Sequence, residues 1–357
     1  MTVSRRGLKW VLCVLGLTAV VGVCDLSLSS YWLYTVNTGL LLAFGAIALT
    51  VLVGRVGLTS MAHVALLAVG GASAAVAAAL VSSWALPFGS LIAAIAGTIA
   101  GAVAGLAALR LSHFYLALSS LALSYVVLYI FQRVQFNSSH SETGYSASAS
   151  NIGPWAITGE RAWLILLAVL LVIVVVLTRN VLKGYTGRAW MGLRDREIVA
   201  RAQGINVARE KIIAFAATSA IVSVSGTLSA FHTGTVSVDQ YDLSMVFQYY
   251  AIIILGGLGS VVGAVVASVL FSVVQAELGN VLTSLPTSMP LSNELSLREG
   301  SVIDVLMGLL IVGVLLFSRG RSRSFVPWAR TKISVVSTQR FRSYRNAGRC
   351  RRGIGST

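Results

Sequence analysis

The feature that most constrains this chain is its series of long apolar runs without charge, of which WLILLAVLLVIVVVL at 163–177 is the plainest. A helix needs roughly 20 mainly apolar residues to cross about 30 Å of hydrocarbon. Such runs recur along the chain, where 56% of the 357 residues are hydrophobic and only 11% are charged. A membrane barrel is excluded because its strands alternate polar and apolar residues. The sequence therefore predicts an all-α polytopic membrane protein.

The apolar pattern predicts about ten membrane-spanning helices. They lie near 10–28, 31–53, 60–81, 86–109, 114–132, 162–178, 212–231, 243–258, 260–277 and 301–317. Only the sequence GGLGS divides 243–258 from 260–277, so broken or re-entrant segments are the alternative there.

The positions of the charges predict that both termini are cytoplasmic. Short loops rich in Lys and Arg stay on the cytoplasmic side of a membrane. With the N-terminus inside and ten crossings, all but three of the 27 basic residues fall in cytoplasmic segments. Most of the 12 acidic residues fall on or near the other side. An even number of crossings is therefore expected.

The sequence divides into a transmembrane permease domain over 1–318 and a basic tail over 319–357. The domain includes a cytoplasmic loop at 179–211, the longest internal one. The tail carries no acidic residue between Arg319 and Arg352, and its Arg, Ser and Gly content predicts disorder. Membrane lipids with anionic headgroups are its expected partner, rather than nucleic acid or a specific protein.

The sequence lacks the motifs of an enzyme that hydrolyses ATP. It contains no Gly-Lys dipeptide, and therefore no phosphate-binding G-x-x-x-x-G-K-[ST] loop. Its histidines lack the i, i+4 spacing of a helical metal site; they are His63, His113, His140 and His232. We predict that the chain is not an enzyme and has no catalytic residue, metal or cofactor.

Two sets of glycines predict close packing between helices. Small residues let helix backbones approach in lipid, where the hydrophobic effect gives no driving force. Gly97, Gly101 and Gly105 recur every four residues along one helix face. The segment GGLGSVVG superficially resembles a dinucleotide-binding loop, but no βα unit surrounds it. Its glycines are therefore predicted to pack helices; they are Gly256, Gly257, Gly259 and Gly263.

The middles of the predicted spans contain no charged residue, which disfavours an ion-driven carrier. Proton or sodium coupling usually needs ionisable groups at membrane depth. A neutral path that guides a small solute fits the spans better. An ion-driven secondary transporter and a non-transporting membrane scaffold remain the alternatives.

The segment RDREIVARAQGIN at 194–206 is far more charged than the apolar runs on either side. It predicts a short surface helix over 197–203 that stops at Gly204. Ile198, Val199 and Ala202 give this helix an apolar face with a charged rim, as a docking element requires. A basic loop resting on lipid headgroups is the alternative.

This segment resembles the cytoplasmic coupling loop of permease subunits from the branched-chain amino acid family of ABC importers. Twelve positions match the family pattern: Gly187, Arg188, Ala189, Arg194, Asp195, Glu197, Ile198, Ala200, Ala202, Gly204, Ile205 and Asn206. The segment LGGLGS with the following Gly263 is also similar to the family. So is an earlier stretch that contains Gly54, Gly57, Ser60 and His63. The likeness covers about 40–277.

The chain departs from the family pattern at Val199 and Arg201 in the coupling segment and at three places before it. It has Thr50 where an Asn is common, Ala62 where a Gly precedes the histidine, and Gly144-Tyr145 where a Gly pair is common. These three places lie where the resemblance places the solute path. The substrate could therefore be a branched-chain amino acid, another amino acid, urea or a short amide.

The resemblance implies an ATP-driven importer in the cytoplasmic membrane of a prokaryote. Its other parts would be a second, homologous permease subunit, expected as a heterodimer partner, two ABC ATPase subunits and an extracytoplasmic solute-binding protein. Glu197 and Asp195 are expected to orient the coupling helix at the rim of an ATPase groove. Ile198 and Ala202 would fill that groove. Thr50, Ser60 and His63 would line the solute path.

Overall fold

The computed structural model describes residues 29–110, 113–139, 144–147, 151–152, 155–157, 159–283, 305 and 308–309. The predicted span 10–28, most of the span 301–317 and the tail 319–357 lie outside these residues. The chain divides into two units, Met1–Asp304 and Val305–Thr357. The described residues of the second unit are helical, and the elements below belong to the first.

The described part of the first unit is mainly helical. Its α-helices are α1 Ser30–Val51, α2 His63–Leu80, α3 Ala85–Ala107, α4 His113–Ser139, α5 Glu160–Lys183, α6 Tyr185–Asp195, α7 Glu197–Ala202, α8 Val207–Thr233, α9 Leu243–Gly256 and α10 Val261–Thr283. A π-helical turn, Leu52–Val56, follows α1, and short 3₁₀ turns lie at Ser82–Trp84 and Val238–Gln240. Helices suit these sequences because hydrocarbon offers no partner to free backbone groups.

Seven of these helices are long and apolar enough to cross a membrane: α1 with the π turn, α2, α3, α4, α5, α8 and α10. Each lies where the sequence predicts a span. The helix α9 has 14 residues, about 21 Å at 1.5 Å per residue, which is shorter than the hydrocarbon layer. The alternative of a broken or re-entrant segment therefore fits α9 better than a full span.

The helix α1 lies at the centre of the described bundle. Every residue from Gly39 to Leu52 is buried, because α5, α8, α9 and α10 all pack around it. Beside it, α3 packs chiefly on α8. The predicted packing glycines of α3 lie in this contact: Gly97 faces Ser223, Gly101 faces Ser219, and Gly105 faces Ile212.

A polar cluster joins one end of α1 to α5 and α8. Asn37 donates to the Glu160 carbonyl at 2.9 Å and to Glu160 Oε2 at 2.8 Å. His232 Nε2 lies 3.0 Å from the same carboxylate oxygen. The rings of Tyr34 and Trp163 lie on the imidazole, with centroids at 5.2 and 5.3 Å. Three helices are thus tied together at the end that the charge pattern predicts to be extracytoplasmic.

Two short strand pairs lie between the helices. β1 (Tyr145–Ser146) pairs antiparallel with β4 (Thr235–Val236), and β2 (Asn151–Ile152) pairs antiparallel with β3 (Trp155–Ala156). The β4 segment leads into α9 beside the middle of α2, where Val236 Cγ1 is a close neighbour of Gly71. The segment that precedes α9 therefore lies against the middle of α2 rather than beyond its end.

The predicted loop over 179–211 is largely helical, and it contains a second helix besides the one predicted over 197–203. The helix α5 continues to Lys183, α6 occupies Tyr185–Asp195, and α8 begins at Val207 rather than 212. Hydropathy locates the hydrocarbon layer but not the ends of the helices, which continue past it. In α6, Trp190 and Leu193 are buried in an apolar cluster with the ends of α1 and α8. This packing stabilises α6, which the charged sequence does not predict as a helix.

Candidate functional site

The short helix α7 ends in a backbone turn at Gly204. Gly204 has φ of +80°, a left-handed conformation that glycine adopts without steric cost. Its N–H donates to the Arg201 carbonyl at 3.0 Å, and the Ile205 N–H donates to the Ala200 carbonyl at 3.1 Å. This pair of bonds is a Schellman motif. It ends α7 close to where the sequence places the helix stop.

Asn206 starts the next helix immediately after this turn. Its side-chain oxygen accepts a hydrogen bond from the Arg209 N–H at 3.1 Å, which satisfies one free donor of the first turn of α8. The chain therefore passes from α7 into the long helix α8 within four residues. Because the turn is short, α7 lies at a fixed position next to the membrane helices.

The outer face of α7 is apolar and open. Ile198 is 83% exposed and Val199 is 46% exposed, and Ala202 is exposed beside them. Ala200 is only 1% exposed and faces the chain itself. Ile198, Val199 and Ala202 therefore form the free surface, called the α7 apolar face below, whereas Ala200 serves the internal packing.

Glu197 attaches α7 to the membrane helices. Its Oε1 lies 2.6 Å from Arg201 within α7, and its Oε2 lies 3.0 Å from Lys211 Nζ in α8. Burial by itself would raise the pKa of Glu197, but the hydrogen bonds and charges of Lys211 and Arg201 bring that pKa below its usual value. The carboxylate is therefore ionised at neutral pH. Its contribution to stability would be lost only as acid protonates it through that lowered pKa.

The helix α6 is attached to the end of α1. Arg194 donates from Nη1 to the Gly54 carbonyl in the π turn, and its side chain packs on Gly57, which has φ of +82°. Asp195, the last residue of α6, is exposed. The sequence groups Arg194 with the docking helix, but the structure places it one helix earlier, on the π turn.

The GGLGS turn packs against the same π turn. A side chain at Gly54 would overlap the backbone of Gly259, and Arg55 Nε donates to the Gly259 carbonyl at 3.1 Å. Gly256 and Gly263 face each other across the turn, where a methyl group on Gly256 would lie 2.5 Å from the Gly263 carbonyl oxygen. Gly257 and Gly259 have φ of +85° and +87°. These glycines allow the π turn, the end of α9 and the start of α10 to approach one another closely.

The three residues predicted to line the solute path are all buried. The His63 ring packs edge-on against Tyr249, with centroids 4.4 Å apart. Ser60 Oγ accepts from the Ala62 N–H at 3.3 Å. Thr50 Oγ1 and His63 Nε2 have no hydrogen-bond partner among the described residues. Unpartnered buried polar atoms are uncommon, so these two atoms are free to bind a polar group that approaches them.

Ser60 and His63 lie on one small cavity between α1, α2, α3 and α8, and Thr50 is outside its lining. Thr218 and Ser219 of α8 add hydroxyl groups on the facing side. The cavity holds about 10 Å³, at the lower limit of what a single water needs. A solute the size of an amino acid can enter only if these helices move apart.

Comparison with known proteins supports the resemblance seen in the coupling segment. Residues 31–315 match a family model described as the permease component of branched-chain amino acid transport systems. The chain belongs to this permease family. The match includes nearly all of α1 and all of α2 to α10, and therefore α6, α7, the π turn and the GGLGS turn.

Two named relatives of the permease are high-affinity branched-chain amino acid transport system permease proteins LivM, from Salmonella typhimurium and Escherichia coli. Each is 29% identical over 198 residues, which cover 49% of this chain and 46% of the relative. The chain thus spans about half the length of the relatives it matches. No solved structure matches the permease.

Sequence reasoning missed several residues that build this region of the permease. The sequence indicated Lys211 only as one of the basic residues of the loop, although its ammonium donates a hydrogen bond to Glu197. Trp190 is buried in the middle of α6, and no sequence pattern indicated its burial. Thr218 and Ser219 lie on α8 opposite His63, and the frequent hydroxyl residues of that run were the one available signal.

Proposed function

We propose that this permease is a membrane-spanning subunit of an ATP-driven importer in a prokaryotic plasma membrane, and that its solute is a branched-chain or related amino acid. Membership of the family and the names of the two relatives support this proposal. The proposed complex contains a second permease chain, two ABC ATPase subunits and an extracytoplasmic binding protein. The separation of a permease domain at 1–318 from a lipid-associated tail at 319–357 stays a prediction.

The observation that carries the proposal is the α7 apolar face on a firmly attached helix. Ile198 is almost fully exposed, although Glu197 beside it is held by Lys211 at 3.0 Å. The rim carries both signs, with Asp195 and Glu197 beside the exposed Arg196 and Arg201, so anionic headgroups would attract one part of it and repel another. A protein groove is the better partner, since it can bury Ile198 and pair the charges at the rim. We therefore assign this face to the ATPase.

Ser60 and His63 are the proposed solute contacts, with Thr50 further along α1. Their support is the pair of unpartnered polar atoms and the hydroxyl groups across the cavity. Because the cavity is too small for an amino acid, the proposal requires movement of α3 and α8 relative to α1. ATP-driven closure of the ATPase subunits on α7 would supply the work for this movement.

The function is tested by transport in liposomes that contain the permease, its partner permease, the ATPases and the binding protein. Labelled leucine, isoleucine, valine and urea are offered with ATP, without ATP, and with an ionophore that removes ion gradients. We expect ATP-dependent uptake of at least one amino acid that the ionophore leaves unchanged. Uptake without ATP that the ionophore abolishes would show an ion-driven carrier instead.

Gly204→Val should weaken coupling and leave the permease in the membrane. No neighbour lies within 4 Å of a side chain added at Gly204, so the cost comes from the backbone at φ of +80°, roughly 1–3 kcal/mol for a β-branched residue. The strain falls on the turn between α7 and α8, and uptake per ATP hydrolysed should drop several-fold. Gly204→Asn is the control because Asn tolerates this conformation. Equal transport by both variants would contradict the assignment.

A further inference from the structure

Lys211 is a buried cation at the junction of three helices. It lies in the first turns of α8, and its side chain is only 8% exposed. A buried charge is costly unless it is paired and hydrogen-bonded. The ammonium lies 3.0 Å from Glu197 Oε2 on α7 and 3.5 Å from the Ala108 carbonyl, directly after α3. One side chain therefore contacts α7 and the end of α3 from its place on α8.

The contact with Lys211 differs from the other ion pair of Glu197. Arg201 bonds the same carboxylate at 2.6 Å, but it lies on α7 itself and its side chain is 65% exposed. That pair stiffens α7 without joining it to another helix, and exposed i, i+4 pairs contribute little. In the pair with Lys211 the ammonium is shielded from water, whereas the side chain of Glu197 is 35% exposed, and this pair joins α7 to a membrane helix.

The helices α3 and α8 pack so closely that a force on their ends moves both. Methyl groups added at Gly97 and Gly101 would lie within 2.8 Å of α8 atoms, so little sliding is possible. Further along the same contact, Ala104 of α3 and Thr218 of α8 line the cavity at His63. A displacement applied at Lys211 is therefore carried to the wall of the proposed solute path.

We propose that Lys211 is a positioning residue that passes the movement of α7 to the α3 and α8 pair. The inference rests on the proposed function, because the movement of α7 comes from an ATPase docked at Ile198. Arg194 attaches α6, the helix before α7, to the π turn that follows α1. The docked helix α7 is thus connected to α1 through α6 and to α3 and α8 through Lys211. Pressure on α7 changes the distance between α1 and the pair of α3 and α8.

Lys211→Met tests this role in the reconstituted complex, since methionine keeps the length and apolar stem but removes the ammonium. The measured quantity is the number of solute molecules imported per ATP hydrolysed. We expect this ratio to fall roughly tenfold, within the usual range of coupling between sites, while ATP hydrolysis continues. Lys211→Arg keeps the charge and should retain most of the native ratio. Arg209→Met, an exposed cation in the same turn, is the matched control and should keep the native ratio.

A crosslink separates failure of this inference from failure of the proposed function. Ile198→Cys is introduced into the native chain and into each variant, and crosslinks to the ATPase are counted. Native transport per ATP in Lys211→Met with the crosslink retained overturns the role of Lys211 and leaves the docking site standing. Absence of the crosslink in the native chain overturns the proposed docking and this inference with it. If Lys211→Met does not accumulate in the membrane, Glu197→Gln is used instead, because it removes the charge of the more exposed partner of the same ion pair. Transport per ATP and the crosslink to the ATPase are then interpreted in the same way.

Discussion

Ile198→Asp is expected to abolish ATP-driven uptake while the permease stays in the membrane at its native level. The side chain is 83% exposed, so its replacement leaves the packing of the permease intact, as surface substitutions usually do. In the docked complex the same position would be central and free of water. Loss of a central anchor typically costs about 2 kcal/mol or more, roughly thirtyfold in affinity, and an unpaired carboxylate buried there adds a desolvation cost.

Co-purification of the ATPase with the tagged permease measures this effect directly, alongside uptake in liposomes. Ala208→Asp is the matched control because Ala208 is exposed in the first turn of α8 and receives the same charge at the same side of the membrane. We expect the control to bind the ATPase and transport normally. Native ATPase binding by Ile198→Asp would show that the α7 apolar face is not the docking surface.

The spans were predictable from sequence because hydrocarbon imposes one requirement on every segment that crosses it. A run such as 163–177 must be apolar and helical whatever its neighbours are, and α5 contains it in full. The bounds of α5 and α8 were less predictable. Both helices continue past the apolar run into charged sequence, where packing and capping rather than hydropathy decide the end, as Asn206 does for α8.

The candidate site was only partly predictable, for reasons that particular residues illustrate. Gly204 gave a local signal, since glycine after a helical segment marks a left-handed turn, and the structure has that turn. The ion pair between Glu197 and Lys211 gave no such signal. Lys211 is 14 residues away, and its second partner is the Ala108 carbonyl directly after α3, so these contacts exist only after the helices pack. The same is true of Arg194, whose partner Gly54 is 140 residues earlier.

The contacts between the π turn, the GGLGS turn and α6 explain why several glycines of these segments match the family pattern. A side chain at Gly54 would overlap the backbone of Gly259, one at Gly57 would overlap Arg194, and Gly259 has φ of +87°. Their absence of side chains lets the π turn, the GGLGS turn and α6 meet, and the two arginines then bind carbonyls exposed there. Small residues and basic residues thus form one assembly that attaches α6 to the π turn and the GGLGS turn.

Gly101→Leu is expected to prevent the permease from folding stably. A methyl group at Gly101 would lie 2.5 Å from Ser219 Cβ and 2.7 Å from the Phe215 carbonyl oxygen, distances that no relaxed contact shows. Leucine adds three more carbons in the same space, so α3 and α8 must separate along their main contact. Overpacking by even a few methylenes costs about 1–3 kcal/mol, and this change should exceed that range.

The amount of folded permease is measured by size-exclusion chromatography in detergent and by the apparent Tm. Thr98→Leu is the matched control because Thr98 is exposed on the same helix, and it should elute and melt like the native protein. Alanine variants grade the effect. Gly101→Ala should lower the Tm more than Gly105→Ala, since the nearest neighbour of a methyl group at Gly105 lies 3.0 Å away, at Ile212 Cα. If Gly101→Leu folds and melts normally, the close packing of α3 on α8 is wrong, and with it the transmission of force from Lys211 to the cavity at His63.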